Sequence, residues 1–236
     1  MPSSITLANT INGIKAFIEQ QPVDVNGMEP ALSAANLIKQ VILMAPLAWP
    51  FNRAQVNYST STQDYTVSGL TDFGFLEGGS VQLSTDSKPW ALEVKIVMET
   101  DQSNARPRFV SPLIDDGMGN ITFRIMPAPD PTKVTAVNLF YQRKARQMLS
   151  MAALWSPIPD DKVYMPQWGF LAMMSLIGND ARFNEYNAKF ITSVLASQGG
   201  LSATEKALFA ANWNRALSST QSIQLENQER FKARQT

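Results

Sequence analysis

Two adjacent pairs of aspartates, Asp115-Asp116 and Asp160-Asp161, are the residues of this chain best placed by type and spacing to do chemistry. Neighbouring carboxylates can hold a divalent cation or share a proton as an acid–base couple. They would have to work alone. The chain has no histidine and no cysteine, so the commonest general base, the commonest metal ligand and all thiol chemistry are excluded. The run Asp115-Asp-Gly-Met-Gly-Asn120 lacks the spacing of a calcium loop and reads as a hairpin turn. Asp160-Asp161 follows Pro157 and Pro159 and reads as the opening of a helix, where carboxylates stabilise the positive end. The phosphate-loop, nucleophile-elbow and Ser-x-x-Lys patterns are absent. The single G-x-G, Gly117-Met-Gly119, lacks the third glycine of a dinucleotide fingerprint. Neither a catalytic residue nor a cofactor or metal site is expected.

Charge points the same way. Lys plus Arg and Asp plus Glu are 20 each, so the net charge is zero. That gives no general attraction to nucleic acid or to an anionic membrane. Charged residues make up 17% of the chain, below the usual level of about 25%. Such a surface has little self-repulsion to keep copies apart. Two basic clusters stand out: Arg143, Lys144 and Arg146, and a second made of Arg230, Lys232 and Arg234 around Phe231. The second reads as a docking peptide on a polar tail. The five tryptophans, Trp49, Trp90, Trp155, Trp168 and Trp213, read as core residues or interface anchors.

The elements that must position these residues fall into three stretches. Leu7, Ile11, Ile14 and Ile18 share one helical face, and Ala34, Leu37, Ile38 and Val41 continue a second helix after Pro30. Residues 1–46 are therefore read as N-terminal helices. Residues 47–145 read as β-rich, with strands at Tyr58–Val67, Ala91–Met98, Ile121–Met126 and Val134–Tyr141. In the second of these, Leu92, Val94, Ile96 and Met98 form the expected inner face. Residues 146–218 read as helices again. Phe183, Tyr186, Phe190 and Val194 line one helix, while Phe209, Trp213, Ala216 and Leu217 line another that opens on a Ser202–Glu205 capping box. Residues 219–236 lose the stripe and read as a tail. The expected fold class is α+β. Helices from both ends form a bundle, the centre is an antiparallel β-rich insertion, and the tail is extended. No stretch nears the roughly 18 apolar residues a membrane span needs, and the start lacks a signal-peptide pattern. The chain is expected to be made in the cytoplasm.

Residues 139–197 resemble a known family, and the order of helices and strands extends the likeness loosely across the chain. Leu139-Phe-Tyr-Gln-Arg-Lys144, Leu154-Trp-Ser-Pro-Ile-Pro-Asp160, Trp168-Gly-Phe-Leu-Ala172 and Asp180-Ala-Arg-Phe183 follow in that order. A basic-ended strand, a Trp-x-Pro-Ile-Pro-Asp turn and a small-residue helix are similar to those of head-to-tail adaptors of tailed bacteriophages. These include the tail-tubular-type connectors of short-tailed phages. Pro166 departs from the pattern and suggests a kink or a later helix start. The resemblance implies a structural virion protein in the neck, assembled in the bacterial cytoplasm, that is not an enzyme. It implies a ring, dodecameric in form, below the portal protein, meeting the tail nozzle, other tail proteins or tail fibres. Double-stranded DNA would pass through without specific binding. Trp155, Pro157, Pro159, Asp160 and Trp168 would be the structural motif, and Arg230, Phe231, Lys232 and Arg234 the portal-docking residues. Three other classes remain open: another assembly protein such as a tail terminator, a carboxylate-based hydrolase, and a nucleic-acid module using the basic tail.

Overall fold

The computed structural model describes residues 3–17, 29–58, 63–96, 106–130 and 132–233, with side chains as far as Thr220. It divides into two compact units, Met1–Phe51 with Ala145–Thr236, and Asn52–Lys144.

The first unit holds α1 (Leu7–Ile14), α2 (Ala31–Leu43), α3 (Tyr164–Ile177), α4 (Phe183–Gln198) and α5 (Ala203–Ala233). Helix α1 starts at a capping box. Asn9 N donates to Thr6 Oγ1 at 3.1 Å, and Thr6 N donates to Asn9 Oδ1 at 3.2 Å. Leu7, Ile11 and Ile14 are buried; Ile18 lies outside the described residues. Helix α3 is apolar almost all round, which marks a central helix. Gly169 permits its close packing. A Cβ there would lie 3.0 Å from the Phe190 ring on α4 and 3.1 Å from Ile38 on α2. Pro166 falls in the first turn of α3, where its missing N–H forfeits no helical bond. On α4, Tyr186, Phe190 and Val194 are buried. Helix α5 opens where Ser202 N donates to Glu205 Oε2 at 2.8 Å and Glu205 N to Ser202 Oγ at 3.3 Å. It buries Phe209, Trp213, Ala216 and Leu217.

The second unit is one sheet of seven strands: β1 (Arg53–Tyr58), β2 (Asp64–Val67), β3 (Phe73–Leu83), β4 (Trp90–Val94), β5 (Phe109–Asp115), β6 (Ile121–Met126) and β7 (Val134–Arg143). Their order is β1-β7-β3-β4-β5-β6-β2. Although β1 and β2 stand at opposite ends of that order, the rings of Tyr58 and Tyr65 lie 4.3 Å apart. The sheet therefore curls until its two edges face each other. Val81, Val110, Phe123, Ile125, Val137 and Leu139 fill its concave side. Strand β3 carries two glycines that a side chain would displace. A Cβ on Gly74 would meet Gln142 O at 2.7 Å, and one on Gly79 would meet Asn138 O at 2.8 Å. The register with β7 shifts across Gly74, between Phe73 and Phe75, so Gly74 sits at a bulge, whereas Gly79 pairs in register with Leu139 where the strands approach closely.

This architecture corrects the expected one. In place of a helical bundle carrying an antiparallel insertion, the chain builds a curled, mixed seven-stranded sheet accompanied by five helices. Strands β4 and β5 run parallel, pairing Glu93 with Phe109 and Val94 with Val110. The long segment 95–108 between them is what permits this, because parallel neighbours need a crossover of about a dozen residues. The expected strand at Tyr58–Val67 is the end of β1 and the whole of β2. On β4 only Leu92 is buried, while Trp90, Val94 and Ile96 are exposed; Met98 lies outside the described residues. The C-terminal segment is not extended, since α5 runs on to Ala233.

Candidate interaction site

The Trp-Ser-Pro-Ile-Pro-Asp turn is built from groups far apart in sequence. Leu7 N donates to Ala153 O at 3.0 Å and Trp155 N to Ile5 O at 3.2 Å, around a bridge between Thr6 and Leu154. The Trp155 indole is fully buried, and its Nε1 donates to Thr10 Oγ1 at 2.8 Å. A buried indole needs such an acceptor. Ile158 N closes the turn on Trp155 O at 3.1 Å, and the Ile158 side chain is buried. Pro157 and Pro159 stiffen the backbone on either side.

Asp160 then fastens the start of the chain. Its Oδ1 accepts from Ser3 Oγ at 2.8 Å and Ser4 N at 2.9 Å, and its Oδ2 accepts from Ser4 Oγ at 2.5 Å. These bonds, led by the Ser4 and Ser3 hydroxyls, hold its carboxyl below the usual aspartate range. Its neighbour Asp161 is exposed. Trp168 is half-buried on α3. It stacks on Tyr186 at 6.2 Å between centroids, with the Lys189 ammonium 4.7 Å from its ring centre.

The other aspartate pair has a local task. Asp116 Oδ1 accepts from Met118 N at 2.7 Å and Asn120 N at 3.0 Å, and Oδ2 from Asn120 Nδ2 at 2.6 Å. The Asn120 side chain is the main reason its carboxyl is also held low. Asp115 Oδ1 accepts from Gly117 N at 2.8 Å. Gly119 has φ of 97°, and a Cβ there would meet Thr71 N at 2.9 Å, so the turn requires glycine. Among the described residues no group of three or more acidic side chains could hold a metal ion. Nor is any helix among them long and apolar enough to cross a membrane.

No protein-family model matches this chain, and no curated protein matches it either.

The first basic cluster divides. Arg143 is engaged, with Nε 3.3 Å from Asp72 Oδ2, and Asp72 Oδ1 accepts from Tyr141 OH at 2.9 Å. Lys144 and Arg146 are exposed. Arg230, Phe231 and Lys232 fall on the helical backbone of α5, but their side chains lie outside the described residues, as does Arg234 altogether. Of the tryptophans, Trp49, Trp155 and Trp213 are buried and Trp90 is 40% exposed. The Arg106 guanidinium stacks on the Trp90 ring at 3.8 Å.

Two features escape a reading of the sequence. Lys39 is only 3% exposed on the buried side of α2. Its trace is a lone lysine inside Leu37-Ile38-Lys39-Gln40-Val41-Ile42. The second is an apolar end of the sheet. Ile96 is 87% exposed, Ile114 62% and Met118 80%. Because β4 and β5 are parallel, Ile96 beyond β4, Ile114 late in β5 and Met118 in the following turn lie toward the same end.

Proposed function

We propose that this chain is a structural protein of a phage neck, an adaptor ring that joins the portal of the head to the tail and extends the DNA channel. Its partners are the portal protein, tail proteins and further copies of itself. Its work is mechanical and involves no chemical step. The proposal starts from the resemblance over residues 139–197, and the observation that carries it is the exposed apolar end of the sheet at Ile96, Ile114 and Met118. Exposed apolar side chains grouped at one end of a unit mark a protein contact. A tail component is the partner that the resemblance assigns to the β-rich part.

The motif residues support the same reading. Trp155, Ile158 and Asp160 are spent on holding the turn and the chain's start together. The net charge of zero suits a conduit that DNA must slide through rather than stick to.

The test is genetic. Particles assembled without this chain should stop as DNA-filled heads without tails, and purified chain added to them should restore tailed particles. Complete tailed particles formed in its absence would overturn the proposal.

A further inference from the structure

Asp116-Gly117 is the single Asp-Gly step of this chain, and such a step can rearrange covalently without any enzyme. Glycine puts no side chain in the way of its own amide nitrogen. That nitrogen attacks the preceding carboxyl carbon. A C–N bond forms, a C–O bond breaks, and the amide proton leaves with the lost oxygen as water. The cyclic imide then takes up one water. Opening at one carbonyl returns aspartate, and opening at the other leaves isoaspartate, whose main chain runs through the side-chain carbon. No oxidant, reductant or cofactor enters, and the sum is an isomerisation.

The turn withholds both reactants. In the imide the new C–N bond takes the place of the amide N–H, so that N–H must first point at the Asp116 carboxyl carbon. It points elsewhere: Gly117 N donates to Asp115 Oδ1 at 2.8 Å. The negative charge on Asp115 also makes loss of that proton harder. The Asp116 carboxylate is committed in turn, to Met118 N at 2.7 Å, Asn120 N at 3.0 Å and Asn120 Nδ2 at 2.6 Å. These bonds, the Asn120 side chain first, hold it below the usual aspartate range, so it stays ionised and offers no hydroxyl to leave.

We propose that Asp116-Gly117 is a latent isomerisation site and that Asp115 keeps it closed by holding the Gly117 N–H away from the Asp116 carboxyl carbon. This gives the second aspartate of the pair a task. It goes beyond the adaptor reading and does not depend on it. What the guard protects is the shape of the turn. Leu70 N donates to Gly119 O at 2.9 Å, and a Cβ on Gly119 would meet Thr71 N at 2.9 Å. An extra main-chain carbon at residue 116 disturbs that close seat and moves Met118, which is 80% exposed at the apolar end of the sheet.

The test is the rate at which isoaspartate appears at residue 116 in the full chain, aged warm at neutral pH. Fragmentation mass spectrometry resolves it from isoaspartate formed at Asn12-Gly13 and Asn26-Gly27. The same chain held unfolded in guanidinium chloride gives the unguarded rate. The folded chain should be at least about tenfold slower, the factor that one hydrogen bond to a charged group supplies. Asp115→Ala should bring the folded rate most of the way to the unguarded one. Asp115→Asn, whose amide oxygen can still accept from Gly117 N, should stay slow. That rescue separates the hydrogen bond from general stiffness of the turn. A folded rate equal to the unfolded one overturns the proposal, as does an Asp115→Ala rate as slow as the parent's. If Asp115→Ala does not fold, Asp115→Asn decides, and a rate equal to that of the unfolded chain overturns it.

Discussion

The turn at residues 115–120 and the turn at residues 154–161 start from the same resource, two adjacent aspartates, and use it over different distances. Asp116 gathers donors no more than four residues away. Asp160 gathers donors from 156 and 157 residues away. The first carboxylate shapes a hairpin that Gly117 and Gly119 already favour. The second closes a long loop, whose entropy cost rises with its length, and the buried Trp155 beside it supplies the apolar energy that keeps it closed. The companions differ too. Asp115 is bonded to the Gly117 amide, whereas Asp161 is exposed and pairs with none of the described residues. Adjacent carboxylates in a chain without histidine are thus structural first.

The largest effect that would test this contrast is Trp155→Ala. Losing a fully buried indole should cost about 3–5 kcal/mol, read from the urea midpoint of the helical unit. A loss below about 1 kcal/mol would show that the turn closes without it. Next, Asp160→Asn should lower the melting temperature more than Asp116→Asn. Equal shifts would erase the difference between long-range and local roles. The pH dependence follows from the two lowered carboxyls. Each stabilises fully above the ordinary aspartate value of about 3.9, and that share is lost as pH falls through the lower folded value. Asp160→Asn should therefore flatten part of the acid-side fall in melting temperature. A curve that is unchanged in shape would contradict it. The smallest effect is Asp161→Asn, expected to change stability by no more than about 0.5 kcal/mol. A large loss of stability would mean that Asp161 is part of the turn.

The helices were readable because their signals are local. The stripes through Leu7 and Ile11, through Tyr186 and Phe190, and through Phe209 and Trp213 each repeat at the helical period, and each is buried. The sheet was less readable because its signals are not local. Strand β3 was not among the expected strands; it carries Gly74, Gly78 and Gly79, and the approach of β7 explains two of them. The parallel pairing of β4 with β5 depends on a crossover that no spacing announces. On the apolar alternation of β4, periodicity could not tell that Leu92 alone would find a core. At the candidate site, the Trp155–Asp160 turn stood out in the sequence. Its bonds to Ser3, Ser4 and Thr10 did not, since they join residues 145 to 157 positions apart. Lys39 was visible only as an interruption in an apolar helix.

The most direct measurement is co-migration with a purified portal ring on a sizing column, using the full chain and a version ending at Thr220. The account predicts that the full chain joins the portal and that the shortened chain, lacking Arg230, Phe231, Lys232 and Arg234, does not. A full chain that elutes apart from the portal at every concentration tried would contradict the adaptor assignment.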